Sequence, residues 1–251
     1  MLSLFEITFY FAYFFLSGST LLTAFEIFNY FPAQYLPLKY ILIIETTVNI
    51  IAGVAYNSIV NNINPVNFSN ITGFRYLDWF ATTPLLLLSF TLYLQYLARG
   101  NDNDYTNANS NANVKANPVK FDYDKLAIIL ILNALMLFFG YLGESGKMNR
   151  IIACIVGFIP FIIMFYCIWQ WYGDTVKNKQ IFTIFFVVWS FYGVVYFLPN
   201  TYIHSKNMCY NILDVIAKVG FGLLIWFEIV QLRLTGKLEE NENENEKNEK
   251  K

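Results

Sequence analysis

Asp214 and Lys218 stand one helical turn apart inside an otherwise apolar stretch, Asn211 to Leu224 (NILDVIAKVGFGLL). A lysine at mid-membrane depth costs roughly 2.5–3.5 kcal/mol on insertion scales, so it calls for a purpose. Two purposes suit it. An amine in an apolar pocket beside a carboxylate can condense with an aldehyde to a Schiff base, whose positive charge then needs a fixed counter-ion. Alternatively Lys218 pairs with Asp214, on the same face at i,i+4, and only holds a helix bundle together. A second stripe lies in Arg75 to Phe90 (RYLDWFATTPLLLLSF), where Arg75, Asp78, Thr82 and Ser89 fall within an arc of about 60° at 100° per residue. Arg75 and a charged Lys218 nitrogen balance Asp78 and Asp214. A site built from the four is neutral, the condition under which charges are tolerated inside a membrane.

The elements that must carry these stripes are membrane helices. Of 251 residues 56% are hydrophobic and 14% charged, against about 25% charged in a soluble domain. Charge-poor runs of about 20 residues cross a bilayer core as helices. They fall at Ile7 to Phe25, Leu36 to Val60, Ile71 to Ala98, Leu126 to Gly143, Ile151 to Gly173, Ile181 to Ile203 and Asn207 to Leu232. The fold class is therefore an all-α membrane protein, a seven-transmembrane-helix bundle over residues 1–236. The first run reads as a permanent span and not as a cleaved leader. Lys39, Arg99, Lys115, Lys120, Lys125, Lys177, Lys179, Arg233 and Lys237 collect on one side, against Arg75, Lys147, Arg150 and Lys206 on the other. The richer side is expected to be cytoplasmic, with the N-terminus extracellular and the C-terminus cytoplasmic. Two glycosylation sequons, Asn67-Phe68-Ser69 and Asn70-Ile71-Thr72, are compatible with that topology and say no more.

Asn101 to Lys120 is asparagine-rich and reads as a mobile loop, and 237–251 reads as a disordered charged tail. The net charge of -1 gives no general attraction to nucleic acid. Cys154, Cys167 and Cys209 lack metal-ligand or disulfide-like spacing, and no metal is expected. His204, the single histidine, reads as a solvated residue of the loop after the sixth span.

Arg75-Tyr76-Leu77-Asp78-Trp79 followed by Thr82-Thr83-Pro84, together with Leu213-Asp214-Val215 and Ala217-Lys218-Val219-Gly220-Phe221-Gly222, resembles the microbial (type 1) rhodopsin family. Trp189-Ser190-Phe191-Tyr192 in the sixth span and Asn133, Met136 and Gly140 in the fourth extend the resemblance. It implies all-trans retinal bound covalently to Lys218 as a protonated Schiff base, with Asp78 and Asp214 as counter-ions and Asp78 as proton acceptor. It further implies that Thr82 hydrogen-bonds Asp78, that Tyr192 bonds Asp214, and that Arg75 completes the network. Trp79 and Trp189 would sandwich the polyene, with Thr83, Leu86, Met136, Asn133, Gly140 and Tyr196 around it. Taken singly, Trp79, Trp189 and Tyr192 also suit plain bundle packing. The implied partners are the lipid bilayer, protons or monovalent cations, and further copies of the chain in a homo-oligomer. The implied place is a plasma or other host-cell membrane, and the chain is not an enzyme.

Three residues depart from the proton-pumping pattern of that family. Ser89 stands where pumps carry a proton-donating carboxylate, and a serine hydroxyl hardly ionises. Lys206 occupies one position of an outer glutamate pair, and Gly193 replaces a common proline. The resulting Asp78, Thr82, Ser89 triad resembles the viral rhodopsin branch. Further polar stripes lie at Glu6, Tyr10, Tyr13, Ser17 and Thr20, at Glu45, Asn49 and Tyr56, and at Asn207 and Asn211. They read either as interhelical hydrogen bonds, worth about 0.6 kcal/mol each, or as a cation path through Glu45, Asn49, Ser17, Ser89 and Asn211. Three functions follow: a light-gated cation channel first, a slow outward proton pump second, and a photosensor without net transport third.

Overall fold

In lipid a spanning segment must close its backbone hydrogen bonds within itself, and each of the seven apolar runs is a helix. The computed structural model describes residues 3–61, 67–106, 122–173 and 175–238. The helices are α1 Leu4–Ile27, α2 Leu36–Asn61, α3 Phe68–Thr106, α4 Tyr123–Glu144, α5 Arg150–Tyr172 and α6 Val176–Tyr196. The seventh, α7, is composite: Ile203–Asp214, a π-helical turn Val215–Val219, then Gly220–Leu234. Neighbours in sequence pack side by side, and α7 closes the bundle against α1, α2 and α6. Among the described residues six helices are long and apolar enough to cross a membrane. The bundle turns large apolar side chains such as Phe14, Phe25 and Ile151 outward, as an integral multi-pass protein facing lipid must.

Local signals set the helix ends. Ser3 Oγ accepts the Glu6 N–H at 3.2 Å while the Glu6 carboxylate accepts the Ser3 N–H at 2.7 Å, a reciprocal cap on α1. Asp122 caps α4 by accepting the Lys125 N–H, and that bond holds its carboxyl below the usual carboxylate range. Asn149 caps α5 through Ile151 and Ile152.

Several boundaries differ from the sequence expectation. The sixth helix lies earlier than 181–203. Thr175 caps it, and the buried Asn178 donates to the carbonyls of Leu94 and Tyr172, so a polar first turn hides the start from hydropathy. It ends at Tyr196, ahead of Pro199, whose ring lacks the N–H to continue a helix. His204 therefore sits in the first turn of α7, not in a loop; its ring meets Phe5 edge-on at 4.6 Å. Finally, α3 continues through Thr106 into the stretch expected to be loop, and Leu238 is buried in the core where the tail was expected to begin. The rest of both segments, 107–121 and 239–251, lies outside the described residues.

The face of α1 is also offset. Its buried positions are Phe5, Phe9, Ala12, Leu16, Ser19, Thr23 and Glu26, one residue before the expected stripe. One residue is a 100° rotation, which leaves Tyr10 exposed and Ser17 half-buried at the flank.

Candidate functional site

The π-helical turn places the amine. Gly220 N–H bonds to the Val215 carbonyl five residues back, so α7 carries a widened turn at Lys218. The Lys218 side chain is 1% exposed, and its Nζ donates to Asp78 Oδ2 at 2.5 Å and lies 3.9 Å from Asp214 Oδ1. The two helices singled out by their charge stripes thus converge on one nitrogen.

The two acids are held differently. Asp214 accepts from Tyr56 Oη at 2.7 Å and Tyr192 Oη at 2.8 Å, from Trp79 Nε1 at 3.0 Å and from Arg75 Nη1 at 3.3 Å. Asp78 has Lys218 on Oδ2, while its Oδ1 is buried without a partner among the described residues. Thr82 is beside it, but its hydroxyl donates to the Asp78 backbone carbonyl at 2.8 Å. A threonine in a helix reaches the carbonyl four residues back, so the bond expected to reach the Asp78 carboxylate is absent.

Arg75 is fixed from the other side. Its Nη2 donates to Asn211 Oδ1 at 2.7 Å and Asn207 Oδ1 at 3.3 Å, and Asn211 Nδ2 donates to Thr8 Oγ1 at 2.9 Å. The guanidinium also lies 5.3 Å from the centre of the Tyr210 ring. Arg75, Lys218, Asp78 and Asp214 together carry no net charge, which is what makes so dry a cluster tolerable.

A cavity opens from Lys218 between α3, α4, α5, α6 and α7. Trp79, Thr83, Leu86, Met136, Gly140, Trp189 and Tyr196, all singled out in the sequence, line it. Asn133 does not; its Nδ2 donates to Thr83 Oγ1 at 2.8 Å from behind the wall. Trp79 is braced edge-on by Tyr76, Tyr192 and Tyr210, and Trp189 stacks on Phe185 at 5.1 Å. Sequence reasoning missed the α5 wall, which comprises Ala153, Cys154, Gly157, Phe158 and Phe161. Ala153 and Gly157 at i,i+4 were the available signal, a small-residue stripe facing inward. At Gly193 a Cβ would stand 2.1 Å from the Phe158 ring, so the missing proline is matched by an aromatic that takes its space.

On the other side of Lys218, Glu45 and Asn49 of α2 are fully buried. Ser89 donates to Glu45 Oε1, and Asn49 Nδ2 donates to Ser19 Oγ at 3.4 Å. Glu45 Oε2 and Asn49 Oδ1 have no hydrogen-bond partner among the described residues, and both residues face Gly222 of α7. Ser17 stands apart from them, its hydroxyl near Gly53. The rotation of α1 sets Ser17, expected on an ion path, away from Glu45 and Asn49, and Ser19 is the α1 hydroxyl that Asn49 meets.

An apolar, aromatic-walled cavity with a buried amine at one end and two acids beside that amine suits a conjugated aldehyde. Rigid rings can restrain a polyene, the amine can bind its carbonyl carbon, and the acids can balance the resulting charge. The family model described as bacteriorhodopsin-like protein matches residues 4–232. A green-light absorbing proteorhodopsin from Gamma-proteobacterium EBAC31A08 is 30% identical over 170 residues, 62% of this chain and 60% of that protein. The match therefore spans less than two thirds of the length of the curated relative. Among solved structures, viral rhodopsin OLPVRII is 28% identical with a TM-score of 0.76, covering 92% of this chain and 99% of that one. Xanthorhodopsin, described as a light-driven ion pump with dual chromophore, shares the fold at 22% identity and a TM-score of 0.67, over 89% of this chain and 90% of that one.

Proposed function

The chain belongs to the bacteriorhodopsin-like family of retinal-binding membrane proteins, and from that premise we propose that it is a light-gated cation channel. Lys218 would hold all-trans retinal as a protonated Schiff base in the cavity between Trp79 and Trp189. Bound there, retinal supplies light absorption and a double bond that isomerises. The residues of the chain do the rest. Asp214, gripped by four donors, stays charged and fixed, whereas Asp78 can take a proton from the Lys218 nitrogen because its second oxygen is free. The N-terminus would face outward, as the loop lysines suggest.

The observation that carries the channel reading is the polar seam on both sides of Lys218. On one side Arg75, Asn207, Asn211 and Thr8 form a chain of hydrogen bonds toward the N-terminal face. On the other, Glu45 Oε2 and Asn49 Oδ1 are buried oxygens without partners. Unpaired buried acceptors cost about 1–3 kcal/mol each, and a passing cation or its water would offset that cost. The seam runs along α1, α2, α3 and α7, with Ser89 where a pump would carry its proton-donating carboxylate.

A slow outward proton pump is the second reading. It is favoured by the 2.5 Å contact between Lys218 and Asp78. It would also use Glu45, bonded by Ser89, to return the proton that a serine alone cannot supply. Voltage clamp on illuminated cells separates the two. A photocurrent whose reversal potential follows the cation gradient supports the channel, and a current of fixed outward sign at every voltage supports the pump and overturns the channel.

A further inference from the structure

A second buried ion pair stands at the N-terminal face, outside the Lys218 cluster. Glu144, the last residue of α4, accepts a hydrogen bond from Lys206 Nζ in the first turn of α7. The Lys206 side chain is 2% exposed and that of Glu144 10%. Lys206 Nζ lies 5.2 Å from the ring centre of Tyr196 and 5.9 Å from that of Tyr210, and both rings line the cavity. Arg150, at the start of α5, lies over Tyr196 and donates to the carbonyls of Tyr196 and Leu198, where α6 ends. The Tyr196 hydroxyl donates to the Arg150 carbonyl at 3.3 Å and occupies the space over Gly143, where a Cβ would stand 1.9 Å from it.

The ends of α4, α5, α6 and α7 are therefore tied together directly behind one wall of the cavity. A buried ion pair is a poor source of net stability, since desolvation cancels most of the attraction. What it does supply is register, because Lys206 has Glu144 as its only ion-pair partner among the described residues. Asn207, the next residue, holds Arg75, so fixing Lys206 also fixes the side of α7 that faces the counter-ion network.

We propose that the Glu144–Lys206 pair seals the cavity at the N-terminal face and keeps bulk water out of the space behind Tyr196 and Tyr210. This rests on reading the cavity as a chromophore site, but the seal can be measured with no chromophore bound. Losing either partner leaves a charge buried without its counterpart, and hydrating that charge opens the wall. Cys154 is a built-in reporter, since it lines the cavity and is 5% exposed.

The test uses retinal-free protein carrying Cys167→Ser and Cys209→Ser, which leaves Cys154 as the one thiol. A water-soluble methanethiosulfonate is added, and the Cys154 thiolate displaces methanesulfinate to form a mixed disulfide that mass spectrometry counts. Glu144→Gln and Lys206→Met are each expected to raise the labelling rate tenfold or more. The exchanged pair, Glu144→Lys with Lys206→Glu, should return the rate toward the parent's, and Lys206→Arg should leave it there. Glu26→Gln breaks the Arg233 ion pair at the opposite end of the bundle and should not change the rate. Unchanged labelling in Glu144→Gln and Lys206→Met, or equal acceleration by Glu26→Gln, overturns the seal and leaves the pair as general bundle stabilisation. Pigment formation on added retinal reports separately on Lys218, so the two readings fail independently.

Discussion

On the N-terminal side of Lys218 charge is shared out among many partners, and on the C-terminal side it is left short. Asp214 takes four hydrogen bonds from three helices, and Arg75 gives to four side chains. Glu45, as deeply buried, has the Ser89 hydroxyl on one oxygen and nothing on the other. A group with many partners holds its position when one is lost, because the remaining bonds still define it. A group with one partner keeps bonding capacity in reserve, which suits a place where a proton, water or cation must arrive and leave. On the proposed reading the first region positions the site and the second transfers the ion. Asp78 stands between them, half engaged.

The largest effect is expected at Asp214. Asp214→Ala leaves Arg75 buried without its ion-pair partner, a loss of about 3–5 kcal/mol, and the yield of folded, retinal-binding protein should collapse. If the yield stays near that of the parent, the partner-rich region is not what positions the site. Glu45→Gln keeps shape and burial but removes the charge, and the photocurrent should fall about tenfold, equivalent to about 1.4 kcal/mol in the barrier, with the pigment's colour kept. A full photocurrent would take Glu45 off the path.

Asp78→Asn should move the visible band to longer wavelength, since the lost charge no longer holds the positive charge at the nitrogen end of the polyene; an unmoved band would remove Asp78 from the counter-ion role. The smallest effect on the pigment and its photocurrent belongs to Tyr192→Phe. It deletes one of four donors to Asp214, worth about 1.5–3 kcal/mol of stability for a bond to a charged group, and should leave absorption nearly in place. Ser89→Ala deletes the one donor to Glu45 among the described residues and should change photocurrent kinetics more than Tyr192→Phe does. The reverse order would erase the distinction between the two regions.

Much of this arrangement was legible in the sequence because charges in apolar helices are few and helical spacing is regular. Lys218, Asp214, Asp78 and Arg75 could be placed on facing stripes from 100° steps alone, and the seven helices from charge-poor runs. The failures have physical causes. A hydropathy run cannot register that Asn178 is buried by bonding two carbonyls, so α6 was expected too late. A stripe of hydroxyls on α1 matched the helical period, yet packing selected the face one residue away, where Phe9 and Leu16 fill the core. Tyr56 stood in a recognised stripe of α2, but its bond to Asp214 joins residues 158 apart in sequence, a relation that no local spacing encodes. The wall from α5 was missed because small residues mark a cavity only when the neighbouring helices are known.

The Lys218 nitrogen is proposed to carry the chromophore between two acids, and chemical trapping of the imine tests this. Protein incubated with all-trans retinal is reduced with borohydride, which converts the imine to a stable secondary amine, and its peptides are weighed. The retinyl group should appear on the peptide containing Lys218, and Lys218→Ala should give no visible band and no retinylated peptide. A retinyl group on any other lysine, or a visible pigment that survives Lys218→Ala, would contradict the account.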